Sequence, residues 1–299
     1  MSVLSRRNWE VNGQKKLYGR EFVVLRLLFI FFFVLGSNLL IARQPAAGSS
    51  QSEGTRPPAR TLSGDPAKLA AAIRGSYYHP DEMSGLDCTI SIDWPAFFSA
   101  FKLNPSAERM KAIQGLKIRS KAARDKDPEL TFEWAGGSLD TKKQFESGLN
   151  QMLEGFYQMY WAMVASSPIS NAAEVSKIEP LPEGGVQVYT SSENNKVVIT
   201  TDKERTPTRY TLDSPAMKGT ISPHYTASPK PVPGDLRRIS SLDASLQMGT
   251  SILNTKLALD YQTVDGFYIP RHVTFTLVGA YSLVWDFSGC SATKGPITH

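Results

Sequence analysis

The chain has 299 residues, 41% of them hydrophobic, so it can build a sizeable core in one large domain or two small ones. The formal charge of +5 is concentrated in residues 1–43, which hold seven basic and two acidic residues, and the remaining 26 basic and 26 acidic residues cancel. The folded part therefore has no net positive charge to favour nucleic acid, and we expect no nucleic-acid partner.

An apolar run at residues 27–42 follows the basic residues and predicts an export signal or a membrane anchor. Basic residues before such a run stay in the cytoplasm, so we expect the rest of the chain to be exported to the periplasm. The run is short for a spanning helix, although Arg26 could snorkel and extend it over residues 22–42, tethering the protein to the inner membrane. Residues 1–43 are interpreted as a signal peptide or a membrane anchor, and the sequence leaves both open.

Residues 44–64 are rich in Pro, Gly, Ser, Ala and Thr, which predicts a flexible linker before a single domain at residues 65–299. The domain begins with a predicted helix, which Asp65 caps and Gly75 ends, with Pro66 in its first turn. Periodicity and turn signals then predict one strand, two short helices and a hairpin, at residues 86–94, 95–102, 105–114, and 116–123 with 129–134.

One long helix is predicted at residues 141–166, where large apolar side chains recur with a helical period. Its C-terminal half is apolar on the opposite side as well, so we expect both sides to be covered. Plain core packing explains the pattern. Alternatively, the helix lines or covers an apolar cavity, for which adaptable Met and aromatic side chains are suited. The candidate cavity residues are Met152, Phe156, Tyr157, Met159, Tyr160, Trp161 and Met163.

From residue 173 onward the sequence is dominated by alternating apolar and polar residues, which predict antiparallel strands. The predicted strands lie at residues 175–181, 186–190, 196–201, 208–212, 218–225 and 236–248, followed by a three-stranded meander at 252–290. Asp265-Gly266 supplies a tight turn in the meander, and Pro270 predicts that its strand starts late or lies at a sheet edge. The fold class is α+β: a curved antiparallel sheet or incomplete β-barrel, with helices covering its concave face, after the N-terminal signal or anchor helix.

The two cysteines are Cys88, in the first predicted strand, and Cys290, at the end of the last. An exported protein enters an oxidising compartment, where disulfides persist. We therefore predict a Cys88–Cys290 disulfide rather than two free buried thiols, and interpret it as a staple between the two ends of one sheet.

Motifs that would identify a catalytic or metal site, such as G-x-S-x-G, H-E-x-x-H and C-x-x-C, do not occur in the sequence. The run His79-Pro80-Asp81-Glu82 gathers a base and two acids on a predicted turn, and we interpret it as a solvated loop rather than a catalytic cluster. The sequence thus predicts no catalytic residue, no metal and no cofactor. A hydrolase with an unrecognised site is an alternative to a non-catalytic protein.

Two runs carry a family resemblance: LDYQTVDGFYIPRHV at residues 259–273 and TDKERTPTRY at residues 201–210. Over residues 173–290 the chain resembles the periplasmic lipoprotein carrier (LolA-like) superfamily and its outer-membrane lipoprotein-sorting relatives. The resemblance implies an unclosed antiparallel barrel, with helices in its mouth, that holds acyl chains in an apolar cavity. We therefore expect an envelope carrier or sensor whose partner is a lipid or lipoprotein acyl chain. An envelope structural or regulatory interaction module is the alternative.

Overall fold

The computed structural model describes residues 65–295, apart from 101–103, 125, 137–138, 168, 170–174, 193–194, 216 and 227–235. The signal or anchor predicted at residues 1–43 and the linker predicted at 44–64 lie outside these described residues. Within them, no helix has both the length and the apolar character needed to cross a membrane.

The helices are α1 (Pro66–Arg74), α2 (Trp94–Ala100), α3 (Ala107–Gln114) and α4 (Leu139–Met159), and α4 continues directly as a π-helical turn (Tyr160–Val164). Helix α1 begins and ends as predicted, because the Asp65 carboxylate accepts a hydrogen bond from the Ala67 backbone N–H at 2.9 Å and Gly75 follows the last helical residue. The single helix predicted at residues 141–166 is wrong at its C-terminal end, where the wider π-helical turn replaces regular α-helix.

Twelve antiparallel strands form one sheet in the described part of the chain. The strands are β1 (Met83–Ile92), β2 (Lys117–Ala123), β3 (Glu129–Glu133), β4 (Val175–Pro180), β5 (Val186–Ser192), β6 (Asn195–Thr201), β7 (Pro207–Asp213), β8 (Lys218–Tyr225), β9 (Ile239–Met248), β10 (Ser251–Val264), β11 (Phe267–Leu277) and β12 (Tyr281–Lys294). The predicted curved antiparallel sheet is confirmed: the sheet is open and curled, with β3 and β4 at its edges.

The strand order is β3-β2-β1-β12-β11-β10-β9-β8-β7-β6-β5-β4. In every pair of neighbouring strands except one, the two strands are also consecutive along the chain. The exception is β1 with β12, which pair from Met83↔Lys294 to Ile92↔Trp285. The first and last strands are therefore adjacent inside the sheet, and the interpretation that the cysteines join its two ends is wrong. Because β3 and β4 lie at opposite edges, the chain between them has to cross the sheet, and α4 lies in this connection.

One face of the sheet packs against α4 and the segment that contains α1. The ring of Phe156 on α4 lies 5.7 Å from that of Trp285 and 5.5 Å from that of Phe287, both on β12. After α1, the ring of Tyr77 lies 5.5 Å from that of Tyr225 on β8. The buried residues of helices and strands form one hydrophobic core, which the sheet curls around.

The Sγ atoms of Cys88 and Cys290 lie 2.11 Å apart, at disulfide-bond distance, as predicted. Pairing of β1 with β12 shifts between Asp87↔Ser291 and Thr89↔Ser288, so Cys88 faces two residues of β12 at a β-bulge. Gly289 adopts φ +55° in this bulge, a left-handed conformation that favours glycine. The disulfide thus joins two adjacent strands at the point where their ladder is interrupted.

The turn between β10 and β11 forms as predicted, with positive φ at both Asp265 (50°) and Gly266 (83°). The prediction from Pro270 is wrong in part, because β11 starts before it and lies between β10 and β12. The β11–β12 ladder begins only at His272, so Pro270 occupies a local edge inside the sheet. There the Gln262 side-chain amide donates to the carbonyls of Pro270 (3.2 Å) and Phe287 (2.8 Å).

We expect the double variant Cys88→Ala/Cys290→Ala to be less stable to chemical denaturation by up to about 5 kcal/mol, because the disulfide closes a loop of 202 residues in the unfolded chain. Dithiothreitol should lower the melting temperature of the wild-type protein and leave that of the double variant unchanged. Free alkylation of both cysteines in unfolded, unreduced wild-type protein would contradict the assignment.

Candidate functional site

The end of the long helix is buried on all sides. Every residue from 159 to 167 is buried, which confirms the expectation that both sides are covered. Within this stretch the Ala165 N–H donates to the Tyr160 carbonyl at 2.8 Å, the i→i+5 bond of a π-helix. Such single π-turns widen a helix locally and are frequent at functional sites. The π-helical turn is therefore a candidate location for a functional site.

All seven candidate cavity residues lie in the hydrophobic core, each 7% exposed or less. The ring of Tyr160 stacks on Phe156 with centroids 6.0 Å apart, and the Tyr157 hydroxyl is hydrogen-bonded to Ser120 on β2. Burial raises the pKa of Tyr157, and the Ser120 hydrogen bond offsets part of that rise. Met152, Met159 and Met163 belong to the same core. Two of the seven, Tyr157 and Trp161, also line a surface cleft.

This cleft has a volume of about 380 Å³ and lies between the β2–β3 loop and the end of the long helix. Its polar lining consists of Arg124, Lys126, Asp127 and Gln158. Its apolar lining consists of Pro128, Tyr157 and Trp161. The cleft therefore combines charged loop residues with two aromatic side chains of the core.

Arg124 connects the two segments that cover the sheet. Its Nη2 donates to the backbone carbonyls of Pro80 (2.9 Å) and Met83 (2.9 Å), just before and at the start of β1. The same nitrogen donates to the Ala165 carbonyl (3.3 Å), directly after the π-helical turn. The guanidinium also lies 5.7 Å from the centroid of the Trp161 ring, within cation–π range. One side chain thus holds the N-terminal segment against the end of the long helix.

Three residues that line the cleft carry a buried polar atom without a hydrogen-bond partner. They are Arg124 (Nε), Gln158 (Oε1) and Trp161 (Nε1), among nine such atoms in the described part of the chain. A buried donor or acceptor that lacks a partner destabilises a protein by about 1–3 kcal/mol, so proteins seldom leave such groups unpaired. The three atoms therefore indicate that water or a ligand completes the cleft.

The interpretation of residues 79–82 as a solvated loop is wrong in part, because the His79 side chain and Pro80 are buried, whereas Asp81 is half-buried and Glu82 is exposed. The His79 side chain is only 7% exposed, and its Nδ1 lies 3.1 Å from Asp81 Oδ2. Its Nε2 lies 2.8 Å from the Arg74 carbonyl oxygen. Burial alone raises the pKa of Asp81, but the His79 hydrogen bond and the charges of His79, Arg124 and Arg74 lower it overall. Arg124 contacts this segment through the carbonyls of its buried residue Pro80 and of the adjacent buried Met83.

The pKa of a second carboxylate, that of Glu154, is shifted in the opposite direction from the pKa of Asp81. Burial raises the pKa of Glu154 on α4, and the negative charge of Asp127 raises it further. Glu154 Oε1 accepts a hydrogen bond from Gln158 Nε2 at 3.4 Å. The lining therefore carries both signs of charge, with Arg124 and Lys126 basic and Asp127 acidic, and Asp127 is near enough to Glu154 to raise its pKa.

Sequence reasoning missed Arg124, Lys126, Asp127 and Gln158. The three loop residues follow a predicted strand, where charged side chains are typical of a solvated turn. Gln158 did carry a signal, since it is the one polar side chain between residues 155 and 165 in an otherwise apolar stretch. A polar residue in such a stretch indicates a buried polar contact, although the sequence does not name its partner.

No group of three or more His, Cys, Asp or Glu side chains in the described ranges is placed to hold a metal ion. Comparison of the chain with protein-family models, with curated proteins and with solved structures finds no match.

We expect Arg124→Met to lower the free energy of unfolding by about 2–4 kcal/mol, since it removes charged hydrogen bonds to three carbonyls and leaves those acceptors buried. Arg119→Met is the matched control. Arg119 lies on β2, its side chain is 70% exposed, and it pairs with Asp87 at 3.1 Å. Exposed ion pairs contribute little, so the control should unfold close to wild type in urea. Equal losses in both variants would contradict the role assigned to Arg124.

The two perturbed carboxylates should give opposite pH dependence. Glu154 has a raised pKa, so its ionised form destabilises the fold, and Glu154→Gln should raise the melting temperature at pH 7. That gain should disappear below the ordinary glutamate pKa of about 4.3. Asp81 has a lowered pKa, so Asp81→Asn should lower the melting temperature at pH 7, and the loss should shrink as the pH falls below about 3.9. Calorimetry from pH 8 to pH 3 measures both, and parallel trends would contradict these assignments.

Proposed function

We propose that the domain is an exported, non-catalytic lipid- or lipoprotein-binding protein of the bacterial envelope. In this proposal it acts as a carrier or sensor and holds an acyl chain between α4 and the curled sheet. An uncleaved N-terminal segment would tether it to the inner membrane through residues 22–42. Three features support the proposal. The cleft extends to side chains of the core, Arg124 attaches the segments that cover the sheet, and the chain has the features of an exported protein.

The observation that carries the proposal is that the cleft leads from the surface to side chains of the core. Tyr157 and Trp161 line the cleft although they are only 1% and 3% exposed. Tyr157 packs on Phe287 of β12, with ring centroids 6.3 Å apart. An acyl chain that enters here meets an aromatic and Met-rich surface, and each CH₂ group that it buries contributes about 0.8 kcal/mol.

The covering segments are attached in a way that permits them to move. Arg124 joins them through hydrogen bonds from a charged group to backbone carbonyls, which contribute about 1.5–3 kcal/mol each and which water can replace. The apolar contacts between α4 and the sheet can be replaced by contacts with an acyl chain. The sheet can therefore stay folded while the end of α4 shifts.

The features of export agree with this function. The apolar run at residues 27–42 predicts translocation, and the cysteines at disulfide-bond distance suit an oxidising compartment. The resemblance of residues 173–290 to periplasmic lipoprotein carriers implies an acyl chain as the cargo. These features support a lipid ligand in the envelope rather than a cytoplasmic substrate.

The test is native mass spectrometry of the full-length protein, extracted from a bacterial envelope in mild detergent, together with analysis of organic extracts. We expect one acyl lipid bound per chain. A lipid-free chain that also fails to bind a fluorescent fatty acid would contradict the proposal. A stoichiometric protein partner without lipid would instead support the interaction-module alternative.

We expect Trp161→Ala to weaken binding of the fluorescent fatty acid at least tenfold, because it removes an aromatic wall between the cleft and the core. Trp94→Ala is the matched control, since Trp94 is 5% exposed and packs against Phe97 and Phe145 rather than lining the cleft. Both variants should melt at lower temperature than wild type, but only Trp161→Ala should lose affinity. Equal affinity in the two variants would contradict the placement of the ligand.

A further inference from the structure

We infer that the cleft formed by Arg124, Lys126, Gln158 and Trp161 is an anion site that takes the carboxylate or phosphate head of the bound lipid. This inference rests on the proposed function and adds the chemical class of the ligand. The head group would stay in the cleft, and the acyl chain would extend past Tyr157 toward the core.

Unpaired donors in the lining support an anionic ligand. Arg124 Nε and Trp161 Nε1 are buried donors, and neither has a partner among the residues that the structure describes. Neither nitrogen can accept a hydrogen bond, so only an acceptor can satisfy them. Carboxylate and phosphate oxygens are the strongest acceptors for such donors.

Arg124 can bind an anion through Nε because its contacts to the protein are made by another nitrogen, Nη2. Its Nη2 donates to the carbonyls of Pro80, Met83 and Ala165, which orients the guanidinium. The Nε edge is left for a further acceptor. A guanidinium held in this way is pre-organised, so binding an anion requires little additional ordering of the side chain.

The charges around the cleft restrict the head group to a single anion. Lys126 adds a second positive charge beside Arg124 in the lining. Asp127 also lines the cleft, and its negative charge raises the pKa of the nearby Glu154. A second anionic group on the ligand would face these carboxylates and be repelled. The site is therefore expected to favour a head with one anionic centre, such as a fatty-acid carboxylate or an alkyl phosphate.

Matched ligands test the inference on the full-length protein by isothermal titration calorimetry. Oleate and oleyl alcohol share an acyl chain and differ in head-group charge, while dodecyl phosphate and inorganic phosphate share the anion and differ in the chain. We expect oleate and dodecyl phosphate to bind at least tenfold tighter than oleyl alcohol, and inorganic phosphate to bind far more weakly.

Two variants locate the effect without removing the Arg124 contacts. Lys126→Gln removes a positive charge, and Gln158→Glu places a negative charge in the cleft. Each should raise the Kd for oleate about 3- to 10-fold and leave the Kd for oleyl alcohol unchanged. Lys111→Gln on α3, at an exposed residue outside the cleft, should leave both Kd values unchanged.

The outcomes separate this inference from the proposed function. If neither oleate nor oleyl alcohol binds, the lipid-binding function itself is contradicted. If both bind with equal affinity and the variants change nothing, lipid binding stands and the anion site is overturned. Binding of inorganic phosphate as tight as that of dodecyl phosphate would overturn the assignment to a lipid head group.

Discussion

Strands β1 and β12 pair inside the sheet and carry the cysteines at disulfide-bond distance. This pairing places the first three strands beyond β12, so β3 and β4 become opposite edges of the sheet. The chain that connects β3 to β4 passes along the buried face, where α4 packs on the sheet beside the N-terminal segment. Burial of the helix on both sides, the π-helical turn and the cleft all depend on this one long-range pairing.

Crossing the sheet creates a specific problem at the end of α4. An apolar helix end can be buried against the sheet, but its last backbone carbonyls need donors. Arg124 supplies such a donor to Ala165 and uses the same nitrogen for two carbonyls near the start of β1. The carbonyls are satisfied, while a set of buried donors and acceptors beside them is left for water or a ligand. The candidate site therefore arises from the way in which the end of α4 is buried.

The sequence predicts the elements of this fold better than their arrangement. Alternation of side chains along a strand indicates where a strand lies and which face is buried, and the turn at Asp265-Gly266 follows from residue type alone. Alternation does not say which strands are neighbours, so the pairing of β1 with β12 and the local edge at Pro270 were not predicted. The π-helical turn was missed because an extra residue per turn leaves no trace in a stretch that is apolar all round. The role of Arg124 depends on three carbonyls far apart in sequence, and a strand-terminal arginine gives no sign of them.

The central claim is that an acyl chain lies between the end of α4 and β12. Photolabelling with a diazirine fatty acid, followed by peptide mapping of the full-length protein, tests this claim most directly. An acyl chain in this position should leave labels on residues 152–163 of the long helix and on the β12 residues that face it, Trp285 and Phe287. Labels confined to the outer face of the sheet, or spread evenly over exposed apolar residues such as Ile252 and Val278, would contradict it.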